Sequence, residues 1–169
     1  WSVFDAGVQN GDILWQYDYL FVVPRKEISH MIIEVSPGVS NNDFIILSGS
    51  SSGVQVYGDE GKSNPNIPEL MWGIKFEDGT LNLAASFQTT RSPVWGDFYA
   101  KDGEEDDIKV TAWNTGFTAG DIDPTDPPAN GSVSYHILRP DTLAQVPEPS
   151  TVWLFSLGLI GLAGARKKL

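Results

Sequence analysis

The chain of 169 residues has no cysteine, only two histidines and two methionines, and half as many basic residues as acidic ones, 11 against 22. Without cysteine there is no disulfide framework, no thiolate metal centre and no thiol nucleophile. An oxidising compartment stays open, because a domain of this length can build a sufficient core without covalent staples. The two histidines, His30 and His136, stand alone rather than in a metal-ligand spacing such as HxxxH. Ser29 adjoins His30, but strand alternation sends neighbours to opposite faces, so they are not a nucleophile–base pair. The sequence also lacks a Gly-x-Ser-x-Gly elbow, a P-loop and a Gly-x-Gly-x-x-Gly turn after a strand. Carboxylate pairs can be picked at will from 22 acids, so a glycosidase reading has no discriminating support. The expectation is a protein without enzymatic activity and without an obligatory cofactor.

Net charge is −11, unevenly placed. Arg166, Lys167 and Lys168 hold three of the basic residues, so residues 1–146 alone carry −13. A body of that charge repels phosphate backbones and anionic lipid heads, which argues against a nucleic-acid partner. The chain opens at Trp1 with no initiator Met and no basic, then apolar, leader. A removed signal peptide and a fragment both fit that start, so export has to be argued from other residues.

Residues 1–143 read as strands and turns. Trp15 to Val23 is aromatic and β-branched and stops at Pro24, Met31 to Val35 is closed by Ser36-Pro37-Gly38, and Phe44 to Leu47 follows. Ser48-Gly49-Ser50-Ser51-Ser52-Gly53 has the composition of a flexible linker before Val54 to Tyr57. Met71 to Phe76 and Leu81 to Thr90 flank Glu77-Asp78-Gly79, whose chemistry predicts a tight hairpin. Trp95 to Ala100, Ile108 to Trp113 and Val133 to Leu138 complete the set, with long loops at 58–69 and 116–131. No stretch before residue 145 keeps a 3.6-residue apolar period over three turns. The predicted fold is all-β, an antiparallel β-sandwich or jelly-roll-like body built of serial hairpins.

Two groups in this body are candidates for binding. Asp102-Gly103-Glu104-Glu105-Asp106-Asp107 crowds hard oxygen ligands of the kind Ca²⁺ takes, although the spacing is not that of an EF-hand. A solvated acidic turn is the plainer account, and Asp121, Asp123 and Asp126 form a weaker second set around Pro124. Trp72, Trp95, Trp113, Tyr99 and Tyr135 offer flat faces that suit sugar rings, against the plainer account that most fill the core. That leaves a polysaccharide-binding, lectin-like module, with or without Ca²⁺, as the alternative to a non-enzymatic surface protein.

From residue 144 the chain changes character. Val146-Pro147-Glu148-Pro149-Ser150 favours an extended path, because two prolines fix φ and lack amide donors. Thr151 to Ala165 then runs 15 residues without a charge, through Trp153, Leu154, Leu157 and Ile160, before Arg166, Lys167 and Lys168. As a helix this run is about 22 Å long at ~1.5 Å per residue, short of the ~30 Å bilayer core. Snorkelling of the basic end, Trp153 at the far interface and local thinning close the gap. The positive-inside rule keeps the basic end cytoplasmic and everything before Pro147 outside. Gly158, Gly161 and Gly164 give one face on which another helix can approach closely. A buried terminal helix would have to hide apolar side chains on every side, and a permanent anchor leaves the proline pair unexplained.

Pro-Glu-Pro, an apolar helix and a short basic cluster, in that order, resemble the PEP-CTERM sorting signal. The resemblance covers residues 146 to 169, with an apolar run on the short side. It implies recognition of Pro147, Glu148 and Pro149 by exosortase, a membrane cysteine protease of Gram-negative bacteria that make exopolysaccharide. It implies further that the helix from Thr151 to Ala165, with its basic stop, anchors the chain transiently in the inner membrane. The helix is then removed as the body passes to the cell surface or the exopolysaccharide matrix. Trp72-Gly73-Ile74-Lys75-Phe76 and Pro93 to Gly103 are also similar to segments of other PEP-CTERM proteins, which implies a shared β-rich body and no particular activity. The expected organisation is an extracellular β-domain over 1–143 and a sorting tail over 144–169.

Overall fold

The computed structural model describes residues 1–59, 63–103, 109–117 and 136–141. Eleven strands and one 3₁₀ turn at Asn41–Asp43 make up the regular structure of these residues. Strands β1 (Ser2–Gln9), β2 (Asp12–Val22), β7 (Asn82–Thr89) and β4 (Ile45–Ser48) form one sheet, in the order β1-β2-β7-β4. A second sheet has the order β10-β9-β3-β6-β5, from Thr111–Trp113, Phe98–Asp102, Ile28–Glu34, Met71–Thr80 and Ser50–Tyr57. Strands β8 (Pro93–Gly96) and β11 (Ile137–Pro140) form a separate pair. Every pairing is antiparallel, as predicted.

The alternation along β7 shows why these segments are strands. Leu83, Ala85, Phe87 and Thr89 are buried, while Asn82 and Ala84 are exposed and Ser86 and Gln88 partly so. Across the interior, Tyr17, Tyr19, Leu83, Ala85 and Phe87 of the first sheet meet Met31, Ile33, Ile74, Phe76 and Phe98 of the second in one cluster. The Phe87 ring sits at its centre, stacked 6.0 Å from Phe76 of the opposite sheet and 5.3 Å from Tyr17 beside it. Offset rings at such separations add to the area they bury, so Phe87 joins the two layers. The outer face of the second sheet has a smaller core of its own, in which Ile32, Tyr57, Met71 and Tyr99 are covered by Ile67 and Phe117. All five residues of β9 are buried for that reason, one face inside the sandwich and the other beneath loops.

Three sequence expectations differ from this architecture. Glu77-Asp78-Gly79 is not a hairpin turn: β6 runs through it, with Glu77 opposite His30 and Thr80 opposite Ile28. The chain then steps across to the other sheet at Leu81, whose carbonyl accepts a hydrogen bond from the Val23 amide at 3.0 Å. Pairing with β3 and β5 therefore outweighs the local turn chemistry. Ser50 to Gly53 is not a linker but the start of β5, paired with β6 and irregular between Ser51 and Gly53. Small polar residues are acceptable there because ladder pairing satisfies their backbone while their side chains face water. The sheets are also not serial hairpins, since only β1–β2, β5–β6 and β9–β10 pair consecutive strands among the described residues. A strand absent from the sequence reading, β1, forms a hairpin with β2 around Asn10-Gly11, both at positive φ (54° and 97°).

Candidate functional site

The last described strand, β11, carries the chain toward residue 145, and it is tied down by buried charge. Arg139 lies across Gly96 of the neighbouring strand, where a Cβ would collide with its guanidinium and with the Glu34 carboxylate. Nη2 of Arg139 lies 3.1 Å from Glu34 Oε1, and Nη1 donates to Ser36 Oγ at 2.6 Å. The other Glu34 oxygen accepts the Asp97 amide at 2.8 Å. Asp141 is held three ways: Ser36 Oγ donates to its carboxylate at 3.1 Å, its amide donates to Ser92 O at 2.9 Å, and its carbonyl accepts from Arg91 at 3.1 Å. Arg91 also reaches Asp43 at 2.8 Å. Burial works to raise the Asp43 carboxyl, but hydrogen bonds from the Ser40 backbone and from Arg91 outweigh it and hold it below the usual carboxylate range. Tyr19 donates to Leu138 O at 2.6 Å, and burial drives its phenol pKa well upward, so it remains a donor.

Sequence spacing gave no hint of this network, which brings Ser36 and Arg91 from far along the chain to Arg139 and Asp141. The available signal was one charge inside each of two apolar strands, Glu34 after Met31-Ile32-Ile33 and Arg139 after Ile137-Leu138. Opposite charges in such settings need partners when buried. Five residues separate Asp141 from Pro147.

The other candidates are scattered. Trp72 packs against the main core with Nε1 donating to Val39 O at 3.2 Å. Trp95 makes an edge contact with Trp1 at 5.6 Å on the two-stranded pair, and half-exposed Trp113 stands on edge strand β10 opposite Tyr99. Tyr99 is fully buried and donates to Pro65 O at 2.8 Å, and Tyr135 lies outside the described residues. Among the described residues no ring contact joins Trp72, Trp95, Trp113 or Tyr99 to another of the four. His30 is buried under Asn64, and its pKa is lowered to about 4 by burial first and then by Lys75 and Lys101. His136 lies 3.5 Å from Asp97, which also accepts a hydrogen bond from Asn114. Of the acidic run, Asp102 is buried beside Lys26, while Glu104 to Asp107, like Asp121, Asp123 and Asp126, lie outside the described residues. Among the described residues no three acidic or histidine side chains are grouped to hold a metal ion.

The PEP-CTERM protein-sorting motif matches residues 145–168. The chain carries a PEP-CTERM sorting signal. Pro147, Glu148 and Pro149, the segment Thr151 to Ala165 and the basic residues Arg166 to Lys168 all fall within the matched span, and all lie outside the described residues. The signal indicates exosortase-dependent sorting to the cell envelope, with export and membrane-associated handling in a Gram-negative bacterium. Among the described residues no helix is long and apolar enough to cross a membrane. No curated protein and no solved structure matches the chain.

Proposed function

We propose that the chain is a non-enzymatic protein of the cell surface or exopolysaccharide matrix, whose β-rich body is the cargo of the PEP-CTERM signal. The match over residues 145–168 carries this reading. Thr151 to Ala165 then spans the inner membrane as a transient helix, with Trp153 near the outer interface and Arg166, Lys167 and Lys168 on the cytoplasmic side. Exosortase reads Pro147-Glu148-Pro149 and severs the helix from the body. The fastening of β11 by Arg139 and Asp141 supports this order of events, because a folded body stays intact while its tail is held and cut. Its net charge keeps the released body soluble and apart from anionic headgroups.

Mass spectrometry of the protein recovered from an exosortase-bearing host tests the proposal. The expected C-terminus falls near Pro147 to Ser150 in the envelope or matrix fraction, and Glu148→Ala leaves the tail in place. An intact Leu169 on surface-located protein, or a processed body confined to the periplasm, would overturn it.

A further inference from the structure

The outer face of the first sheet is built in rows that cross its strands, because residues paired in an antiparallel ladder point to the same side. One row is Phe4, Gln16, Gln88 and Ile45, from β1, β2, β7 and β4 in turn. The next is Ser2, Asp18, Ser86 and Ser48. Tyr17 and Phe87, which lie between these rows along their strands, point the other way into the core. Hydrogen bonds tie the rows together. Gln88 Nε2 donates to Gln16 Oε1 at 3.0 Å, Gln16 Nε2 to Asp18 Oδ1 at 3.1 Å, and Ser86 Oγ to the same oxygen at 2.5 Å. The planar amides are thereby held in fixed orientations, and Gln88 Oε1 accepts no hydrogen bond among the described residues. Exposed apolar side chains stand around this polar array, with Phe4 and Ile45 at the ends of the first row and Leu20 beyond the second. Of the eight residues only Asp18 is charged and none is basic, a low share for a surface that faces only water. Four strands at ~4.8 Å spacing make each row about 14 Å long.

We propose that this face binds a neutral polysaccharide, whose hydroxyls bond the Gln16, Asp18 and Gln88 side chains while the C–H face of a sugar ring covers Phe4. Amides both donate and accept in one plane and a carboxylate accepts twice, which matches the mixed donor and acceptor character of hydroxyls. Phe4 supplies the flat apolar surface that the C–H groups of the ring need, directly across the β1–β2 ladder from Gln16. The array is oriented before any ligand arrives, so little side-chain entropy is lost on binding. Charge selects among polymers. With no basic residue in either row and a body of −13, polyanions are repelled. The same net charge opposes a second copy, and a two-fold contact centred here would set Asp18 beside its own counterpart. A single carboxylate, already shared by Gln16 and Ser86, gives a polycation little to hold. The inference rests on the surface or matrix reading above for its setting. The face itself is complete in the folded body, so its binding and the processing of the tail are measured separately.

The test uses the full chain in phosphatidylcholine nanodiscs, with NMR of the methyl signals of Ile45, Leu20 and Ala84 on this face and of Ile32 on the other sheet. The probes are the neutral hexamers cellohexaose, maltohexaose, mannohexaose and xylohexaose, with hexagalacturonate as the anion and the glucosamine hexamer as the cation. At least one neutral hexamer is expected to shift the three face methyls saturably, to leave Ile32 in place and to bind more tightly than either charged hexamer. Phe4→Ala should weaken that binding by ~2- to 10-fold, the value of one aromatic contact, and Gln88→Ala by a similar factor through lost hydrogen bonds. Both side chains face solvent, so the fold survives their removal. Trp113→Ala, on the other sheet, should leave the affinity unchanged. No shift of the face methyls with any neutral hexamer, equal or tighter binding of a charged one, or unchanged affinity in either face variant would each overturn the proposal. So would face shifts that follow protein concentration without sugar, which would assign the face to a second copy. A failure here leaves the C-terminus found by mass spectrometry as it was, so the two proposals fall separately.

Discussion

Lowering the pH from 7 to 5 is expected to cost the folded body about 2 kcal/mol through one side chain, His30, because the folded and unfolded chains differ in proton uptake there. Its ordinary pKa of 6.5 applies to the unfolded chain, whereas burial, followed by the charges of Lys75 and Lys101, lowers it to about 4 in the fold. As pH falls through 6.5 the unfolded chain therefore takes up a proton that the folded chain refuses until about 4. Stability is complete above the upper value and is lost progressively toward the lower one. At ~1.4 kcal/mol per unit the loss is about 2 kcal/mol by pH 5 and approaches ~3 kcal/mol below pH 4. Asp43 and Glu77, both held below the usual carboxylate range, lose their contributions at lower pH, and the difference between the native chain and a His30 variant assigns the loss between pH 7 and 5 to this histidine. His30→Phe removes the titration while keeping a ring 6.0 Å from Tyr99; it also gives up the 3.3 Å contact of Ser29 Oγ with His30 Nδ1, so the comparison is of the change between the two pH values rather than of absolute stability. Urea unfolding followed by tryptophan fluorescence at the two pH values measures the difference. Equal losses in the native chain and the variant would refute the assignment.

Arg139→Met should destabilise the body by about 3 kcal/mol, because it removes the buried guanidinium that faces the Glu34 carboxylate and donates to Ser36 Oγ. Adding Glu34→Gln should recover part of that loss in denaturant titrations, and the single variant should be cut more readily by protease around β11. Gly96→Ala drives a methyl group into Arg139 and Glu34 and should cost ~1–3 kcal/mol, read in the same titrations. Gly11→Ala, at φ 97° in the β1–β2 turn, should cost ~1 kcal/mol, seen as a fall of about 3 °C in Tm by calorimetry.

The sorting signal was readable residue by residue because every part of it is local: two prolines, an uncharged run and a basic stop act in order along the chain. Strand positions were mostly readable for a similar reason, since alternation and β-branched or aromatic content are properties of adjacent residues. One local signal went unread, the Asn10-Gly11 turn that announces the β1–β2 hairpin. The pairing of strands was not local. Glu77-Asp78-Gly79 has the chemistry of a turn, yet backbone ladders with β3 and β5 carry the strand straight through it. The serines before Gly53 look like a linker, yet β6 supplies the partners that make them a strand.

What the sequence determined by itself was the all-β composition of the body, its acidity and the address carried by residues 145–168. Tertiary structure decided which strands share a sheet, that Arg139 finds Ser36 across 103 positions, and that Asp102 is buried beside Lys26 instead of standing in an open acidic turn. Burial and pairing depend on which distant segments arrive beside a residue, and a side chain's own neighbours in the chain carry no record of that.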